Sequence, residues 1–286
     1  NRSGRCRVRN IFSVDVEDYF HPTEVQRSVG SSSWDQMPRR VAPSTRTLLE
    51  LLARHDTRAT FFILGWVAEK EPALVKEIAS AGHEIGCHSF WHRLVYDLTP
   101  EEFAADTKLA CDAIEAACGI RPHIYRAPSY SITERSFWAL EILAQLGFTH
   151  DSSIYPIRHD RYGIPGFPRH ASLLHTVHGP LIEVPPASVE LRPGWNVPVG
   201  GGGYLRMLPY RYTAAGIRTL NYIDLIPANV YVHPWELDKE QPRIAQGRVS
   251  RLRTYLGLSA FERKVSRLLS EFEFGPLGEA APSAAQ

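Results

Sequence analysis

From residue 10 to about residue 150 this chain alternates short apolar runs with longer amphipathic ones, and that alternation limits its fold more than any other feature. Residues 10–16 (NIFSVDV), 58–64 (RATFFIL), 83–87 (HEIGC) and 123–126 (HIYR) read as strands, and the unbroken run in RATFFIL suits a strand buried on both faces. Helical periods lie between them. Ser44 can cap a helix that carries Leu48, Leu49, Leu51 and Leu52 and ends near His55 and Asp56. Pro72 opens a second helix, ending at Gly82. Thr99-Pro100-Glu101-Glu102 places an N-cap, a first-turn proline and an acid at the third helical position, ahead of a helix that stops at Gly119. Thr133 starts a fourth, with Phe137, Leu140, Ile142, Leu143 and Leu146 on its apolar face and Gly147 at its end. Strand–helix order of this kind predicts an α/β sheet or barrel.

Beyond residue 150 the pattern loosens. Pro165, Pro168, Pro180, Pro185, Pro186, Pro193 and Pro198, with the glycines from Gly200 to Gly203, mark an irregular stretch at about 155–205. Residues 229–233 (NVYVH) form a late strand. Ser259 to Phe272 is an amphipathic helix with Phe261, Val265, Leu268, Leu269 and Phe272 on one face. The expected layout is one barrel domain over 10–245, a helical extension over 246–275 packed on it, and a small, polar, disordered tail over 276–286.

With 286 residues and 44% hydrophobic content, the chain can bury a full core without disulfides. Its 32 basic and 31 acidic residues leave a net charge of +1, so the overall balance gives no electrostatic reason to make nucleic acid or an anionic membrane the main partner. Arg2, Arg5, Arg7 and Arg9 read as a solvated, frayed terminus. No run of eighteen or so apolar residues exists, which excludes a helical membrane span. The run from Ile11 to Val16 is too short for a signal-peptide core and contains Asp15, so a cytoplasmic location is expected. Cys6, Cys87, Cys111 and Cys118 form no CxxC pair and are expected to be free thiols. Oligomeric state leaves no trace in the sequence.

Barrel and open-sheet α/β proteins carry their chemistry at the carboxyl ends of the strands. Four strand ends here hold reactive types: Asp15-Val16-Glu17-Asp18, His88 to His92, Arg126 to Tyr130, and His233 to Glu236. All four would converge on one mouth. His88 and His92 are four apart, so on a helical turn both imidazoles could share a metal; with 12 histidines, chance alone gives about half a pair at that spacing. Three carboxylates in four residues are either an exposed acidic turn or, if buried, in need of cationic partners. Two histidines and one carboxylate would leave a divalent ion open to water and substrate, as catalytic zinc requires, although cobalt, nickel and iron suit the same donors. Asp15 and Glu17 share one face of an extended strand. Arg126 could hold a base ionised, against the alternative of a surface guanidinium. His233 could protonate a leaving amine, against the alternative of a structural histidine.

These segments together resemble polysaccharide deacetylases with the NodB homology domain, carbohydrate esterase family four. They most resemble the subgroup associated with bacterial exosortase and exopolysaccharide loci. The resemblance rests on SVDVEDYF, HSFWH, RAPSYSIT, GGGYLRMLPY, YVHPWELD and RLLSEFEF, in order over about residues 10 to 275. It implies a distorted (β/α) barrel of about seven strands and one divalent metal, with zinc the expected ion. By the same resemblance His88 and His92 are metal ligands, Asp15 the general base, Arg126 its orienting partner and His233 the general acid. Pro128 and Tyr130 shape the pocket, with a backbone amide there facing the oxyanion. Trp235 floors the acetyl methyl group, and Asp151 supports the catalytic histidine. The first motif departs from the usual adjacent aspartates, because Val16 follows Asp15; Glu17 is then the expected carboxylate ligand, with Asp18 as the alternative. The implied activity is release of acetate from N-acetylhexosamine units of a glycan. The alternatives are O-acetyl ester hydrolysis, cyclic imide or ureide hydrolysis, and an inactive glycan-binding cleft.

Overall fold

A computed structural model describes residues 8–26 and 28–280. The chain runs β1 (Asn10–Val16), α1 (Thr23–Gln26), α2 (Val41–Arg54), β2 (Thr60–Ile63), α3 (Gly65–Lys70), α4 (Pro72–Ser80), β3 (Glu84–Cys87), α5 (Pro100–Cys118), β4 (Ile124–Tyr125), α6 (Trp138–Gln145) and β5 (His150–Asp151). Four strands follow: β6 (Ser172–Thr176), β7 (Gly179–Glu183), β8 (Ser188–Arg192) and β9 (Trp195–Pro198). The remainder is α7 (Gly202–Met207), α8 (Tyr210–Thr219), β10 (Asn229–Val232), α9 (Arg248–Tyr255), α10 (Leu258–Glu271), β11 (Phe274–Gly275) and α11 (Leu277–Ala280).

Seven strands run parallel in the order β10–β1–β2–β3–β4–β5–β7, and β6 adds an antiparallel edge. The barrel they form is distorted, because no ladder joins β7 to β10. Isolated bonds span that seam: the Ala187 N–H donates to the Asn229 carbonyl at 2.9 Å, and Asn229 Nδ2 donates to the Val184 carbonyl at 3.0 Å. Gly201 presses against β10 with φ +114°, where an added Cβ would lie 2.0 Å from the Tyr231 carbonyl oxygen; only glycine permits that approach.

All seven residues of β1 are buried, so both of its faces need partners. Phe12, Val14 and Val16 face the helix-covered core, where each stabilises the fold by about 2 kcal/mol. The alternate residues Ile11, Ser13, Asp15 and Glu17 face the barrel interior, in rising order towards the mouth. Ile11, Phe62, Ile124, Ile182, Val184 and Leu277 make an apolar floor. Arg126, fully buried, lies above it with its guanidinium 4.1 Å from the Phe62 ring.

Several expectations need correction. Ser44 does not cap α2, which begins at Val41; the Asp18 carboxylate accepts the Arg40 and Val41 N–H groups at 2.7 and 2.9 Å instead. The stretch expected to be irregular holds four strands, and β7 completes the parallel set. Residues 276–280 are folded: Leu277 is buried in the barrel floor, and Glu279 pairs with Arg9 and Arg58. Arg9 is accordingly anchored. Arg2, Arg5, Arg7, Cys6 and the rest of the tail lie outside the described residues. Cys87, Cys111 and Cys118 are free thiols.

Candidate active site

Parallel register puts the reactive residues at one height. Val16, Ile63, Cys87 and Tyr125 are successive Cα partners across β1 to β4. The next residue on three of those strands is Glu17, His88 or Arg126. On the other side, Val14 pairs with Val232, which sets His233 level with Asp15.

Glu17, His88 and His92 are buried together. Glu17 Oε1 lies 3.2 Å from His88 Nε2 and 2.9 Å from His92 Nε2. The two histidines are not on a helical turn; they sit in the loop after β3, where Ser89 and His92 take φ of +63° and +52°. Asp106 on α5 fixes that loop by accepting the Phe90 and Trp91 N–H groups. His88 Nδ1 faces the Arg126 carbonyl at 2.8 Å, which can only accept, so that nitrogen carries the proton. In a neutral imidazole the Nε2 lone pair then points at a carboxylate oxygen. Two acceptors face to face need a cation between them or a second proton on the ring. The donor set therefore fits a divalent ion with three protein ligands and an open side. Gln26 on α1 lies 3.2 Å from His92 Nδ1 and steadies the second histidine of the set.

Asp15 is held by Arg126, whose Nη1 donates to Asp15 Oδ1 at 2.7 Å and to Ser13 Oγ at 2.9 Å. The remaining guanidinium donors go to the Ser152 carbonyl and hydroxyl. Asp15 Oδ2 faces His233 Nε2 at 3.8 Å. On the other side of that ring, Nδ1 donates to Glu236 Oε2 at 3.1 Å. Burial disfavours the imidazolium, but Glu17, the Glu236 bond and charge, and Asp15 outweigh it and lift His233 to about 9. Burial likewise favours neutral Glu17, yet His92, His233 and the bonds from His88 and His92 hold its carboxyl well below the usual range. The site thus pairs an ionised acid with a protonated histidine at neutral pH.

Asp18 turns away from this cluster. Its oxygens accept the N–H groups of Tyr19, Arg40 and Val41, so of the two expected carboxylates Glu17 is the one beside the histidines. Asp151 does not support His233; it bonds Ser153 and Glu183 beneath the site, and Glu236 takes the role expected of it. Pro128 is buried and does not line the cavity. Tyr130 contributes its ring to the wall, but its amide already donates to the Ala127 carbonyl at 3.1 Å and is not a free oxyanion donor. Trp235 stacks 5.3 Å from His233 and lines the cavity.

The cavity has a volume of about 330 Å³, within the range of ligand sites. Asp15, Glu17, His92 and His233 form its base. Its outer wall includes Glu24 of α1, which binds Arg161 at 2.6 Å and Arg253 of α9 at 3.1 Å. The sequence carried a signal for Glu236, an acid three residues after the strand-ending histidine. Asp106 and Gln26 gave none, because their roles depend on distant segments meeting.

Comparisons with known proteins divide the chain in two. Residues 24–150 match the family described as Polysaccharide deacetylase. Residues 152–281 match a family described as Domain of unknown function (DUF3473). That second half supplies His233, Trp235 and Glu236, the first supplies His88, His92 and Arg126, and Asp15 and Glu17 precede both matched segments. A peptidoglycan-N-acetylglucosamine deacetylase of Bacillus cereus is 35% identical over 98 residues, 34% of this chain and 36% of that protein. A chitooligosaccharide deacetylase of a Bradyrhizobium species is 31% identical over 107 residues, 37% of this chain and 48% of that protein. The chain thus spans less than half the length of either relative. A crystal structure of a Mycobacterium smegmatis protein covers 96% of this chain and 90% of its own at 18% identity and TM-score 0.63, which shows the distorted barrel fold.

Proposed function

From the premise that residues 24–150 carry a polysaccharide deacetylase domain, we infer that the chain hydrolyses the N-acetyl amide of hexosamine units in a glycan, releasing acetate. The observation that carries this reading is the meeting of Asp15, Arg126 and His233 beside the Glu17–His88–His92 donor set. A divalent ion held by those three ligands, zinc by preference, would polarise the acetyl carbonyl and acidify an attacking water.

The chain's own residues do the proton work. Asp15 takes a proton from the attacking water through Oδ2, while Arg126 keeps its Oδ1 fixed. His233 gives its Nε2 proton to the departing sugar nitrogen, and Glu236 holds the ring in that orientation from Nδ1. Trp235 offers an apolar face to the acetyl methyl. The products are a free amine and acetate. Membership of the exopolysaccharide-associated subgroup fits the motif order and the second matched family. Among the described residues no helix is long and apolar enough to cross a membrane.

The test is Asp15→Asn assayed for acetate from N-acetylglucosamine oligomers, with metal content measured on the same sample. We expect a loss of about 10²- to 10⁴-fold in turnover with bound metal unchanged. Wild-type turnover in that variant would remove Asp15 from the base role. His233→Ala separates amide from ester substrates, since an alkoxide leaves with less help than an amine; unchanged turnover would point to O-acetyl esters.

A further inference from the structure

The net charge of +1 conceals a local concentration of cations. From Gln241 to Phe261 the chain has four arginines and no acid. Arg253 is taken by Glu24. Arg243, Arg248 and Arg251 are exposed and make no ion pair among the described residues. They line one open groove together with Leu252, Tyr255 and Leu256. Arg243 lies 5.1 Å over the Tyr255 ring, which fixes one guanidinium at the groove wall. Beside these cations stand exposed apolar side chains: Val249 at 62%, Leu252 at 55% and Leu256 at 47%.

We propose that this groove on α9 docks the protein on an anionic bilayer, with Arg243, Arg248 and Arg251 against lipid phosphates and Val249, Leu252 and Leu256 in the headgroup–acyl boundary. A basic, half-apolar helical face of this kind matches the bilayer interface, where charge and apolar burial act together. Unpaired guanidiniums favour that occupant over a second copy of the chain, whose identical arginines would meet them across a two-fold axis. The surface also has a defined relation to the site. Arg253 and Thr254, on the inner side of the same helix, line the catalytic cavity, so docking brings the cleft to about one helix diameter, roughly 10 Å, from the headgroups.

The experiment is co-sedimentation of the full chain with phosphatidylcholine vesicles and with vesicles that also contain phosphatidylglycerol. We expect binding only to the anionic vesicles, weakened by added salt. Arg248→Gln with Arg251→Gln should lower the partition roughly thirtyfold, and Leu252→Ser with Leu256→Ser should lower it as well. None of these residues lines the catalytic cavity, and unchanged melting curves would show that the variants remain folded. Failure of the wild-type protein to sediment with anionic vesicles overturns the proposal. So does equal sedimentation of the variants, or loss of self-association in the leucine variant with no vesicle binding at all. Because acetate is not the readout, failure here leaves the hydrolase reading standing.

Discussion

Arg126 commits its guanidinium to Ser13, Asp15 and Ser152, and that commitment defines what Asp15 can do. A carboxylate fixed at Oδ1 has one oxygen left for a proton, the property a general base requires. His233 is its counterpart, lifted to about 9 partly by Glu236. If the protonated His233 is the acid, as proposed, the rate falls as pH rises through its pKa, and removing the Glu236 charge lowers that pKa. Glu236→Gln should therefore move the basic limb of the pH–rate profile towards neutrality by roughly one unit. A limb that stays in place would assign it to another group. The same variant leaves Arg206 with a weakened partner, so its melting temperature must be followed alongside. These roles were legible to different degrees. Asp15, His88, His92, Arg126 and His233 follow strand ends, and the parallel-sheet rule gathers strand ends at one mouth. The left-handed loop that orients His88 and His92 was not legible, because four-residue spacing looks the same on a helix.

At the scale of elements, the departure of the first motif from adjacent aspartates becomes intelligible. β1 ends at Val16, and the chain then turns so that Glu17 meets the histidines while Asp18 reaches the start of α2. One acid stands among the candidate ion-binding histidines and the next serves as a helix cap. Asp18→Ala removes the acceptor for three N–H groups and should cost about 2 kcal/mol, lowering Tm by roughly 4 °C or more. Burial pushes the Asp18 carboxyl up to about 6 against those bonds, so its contribution is largest in acid and is lost as pH rises through that value. The deficit of the alanine variant should accordingly be greater in mild acid than at neutrality. Zinc distinguishes the two neighbours. Added zinc should raise Tm in the wild type and in Asp18→Ala, and chelation should reverse the rise. Glu17→Gln should lose most of that response, whereas an equal response in Glu17→Gln would move the ion elsewhere. The helix pattern was readable from periodicity; the cap was not, since its donor and acceptor lie 22 residues apart.

For the whole molecule, the two matched families meet at β5, ahead of the strands that close the barrel. The alternation that was plain before residue 150 faded after it because β7 is reached through a proline-rich stretch and the β6 hairpin, and the β8–β9 hairpin intervenes before α7 and α8 lead to β10. Yet β10 is the neighbour of β1, and β1 has no exposed residue. Arg206 carries the dependence further. It pairs with Glu236 at 2.9 Å and donates to the carbonyls of Arg253 and Leu256, so α9 and its junction with α10 are wired through Glu236 to His233. Leu277 fills the floor from the far end of the chain. A fragment ending at residue 150 would leave the β10 edge of β1 unpaired, its floor open and the acid absent. We expect that fragment to show no cooperative thermal transition and to release no acetate, and mixing it with a separately produced 151–286 fragment to restore both only if the halves reassemble. A sharp, independent melting transition for the first fragment would instead make the second half an accessory to a barrel already complete.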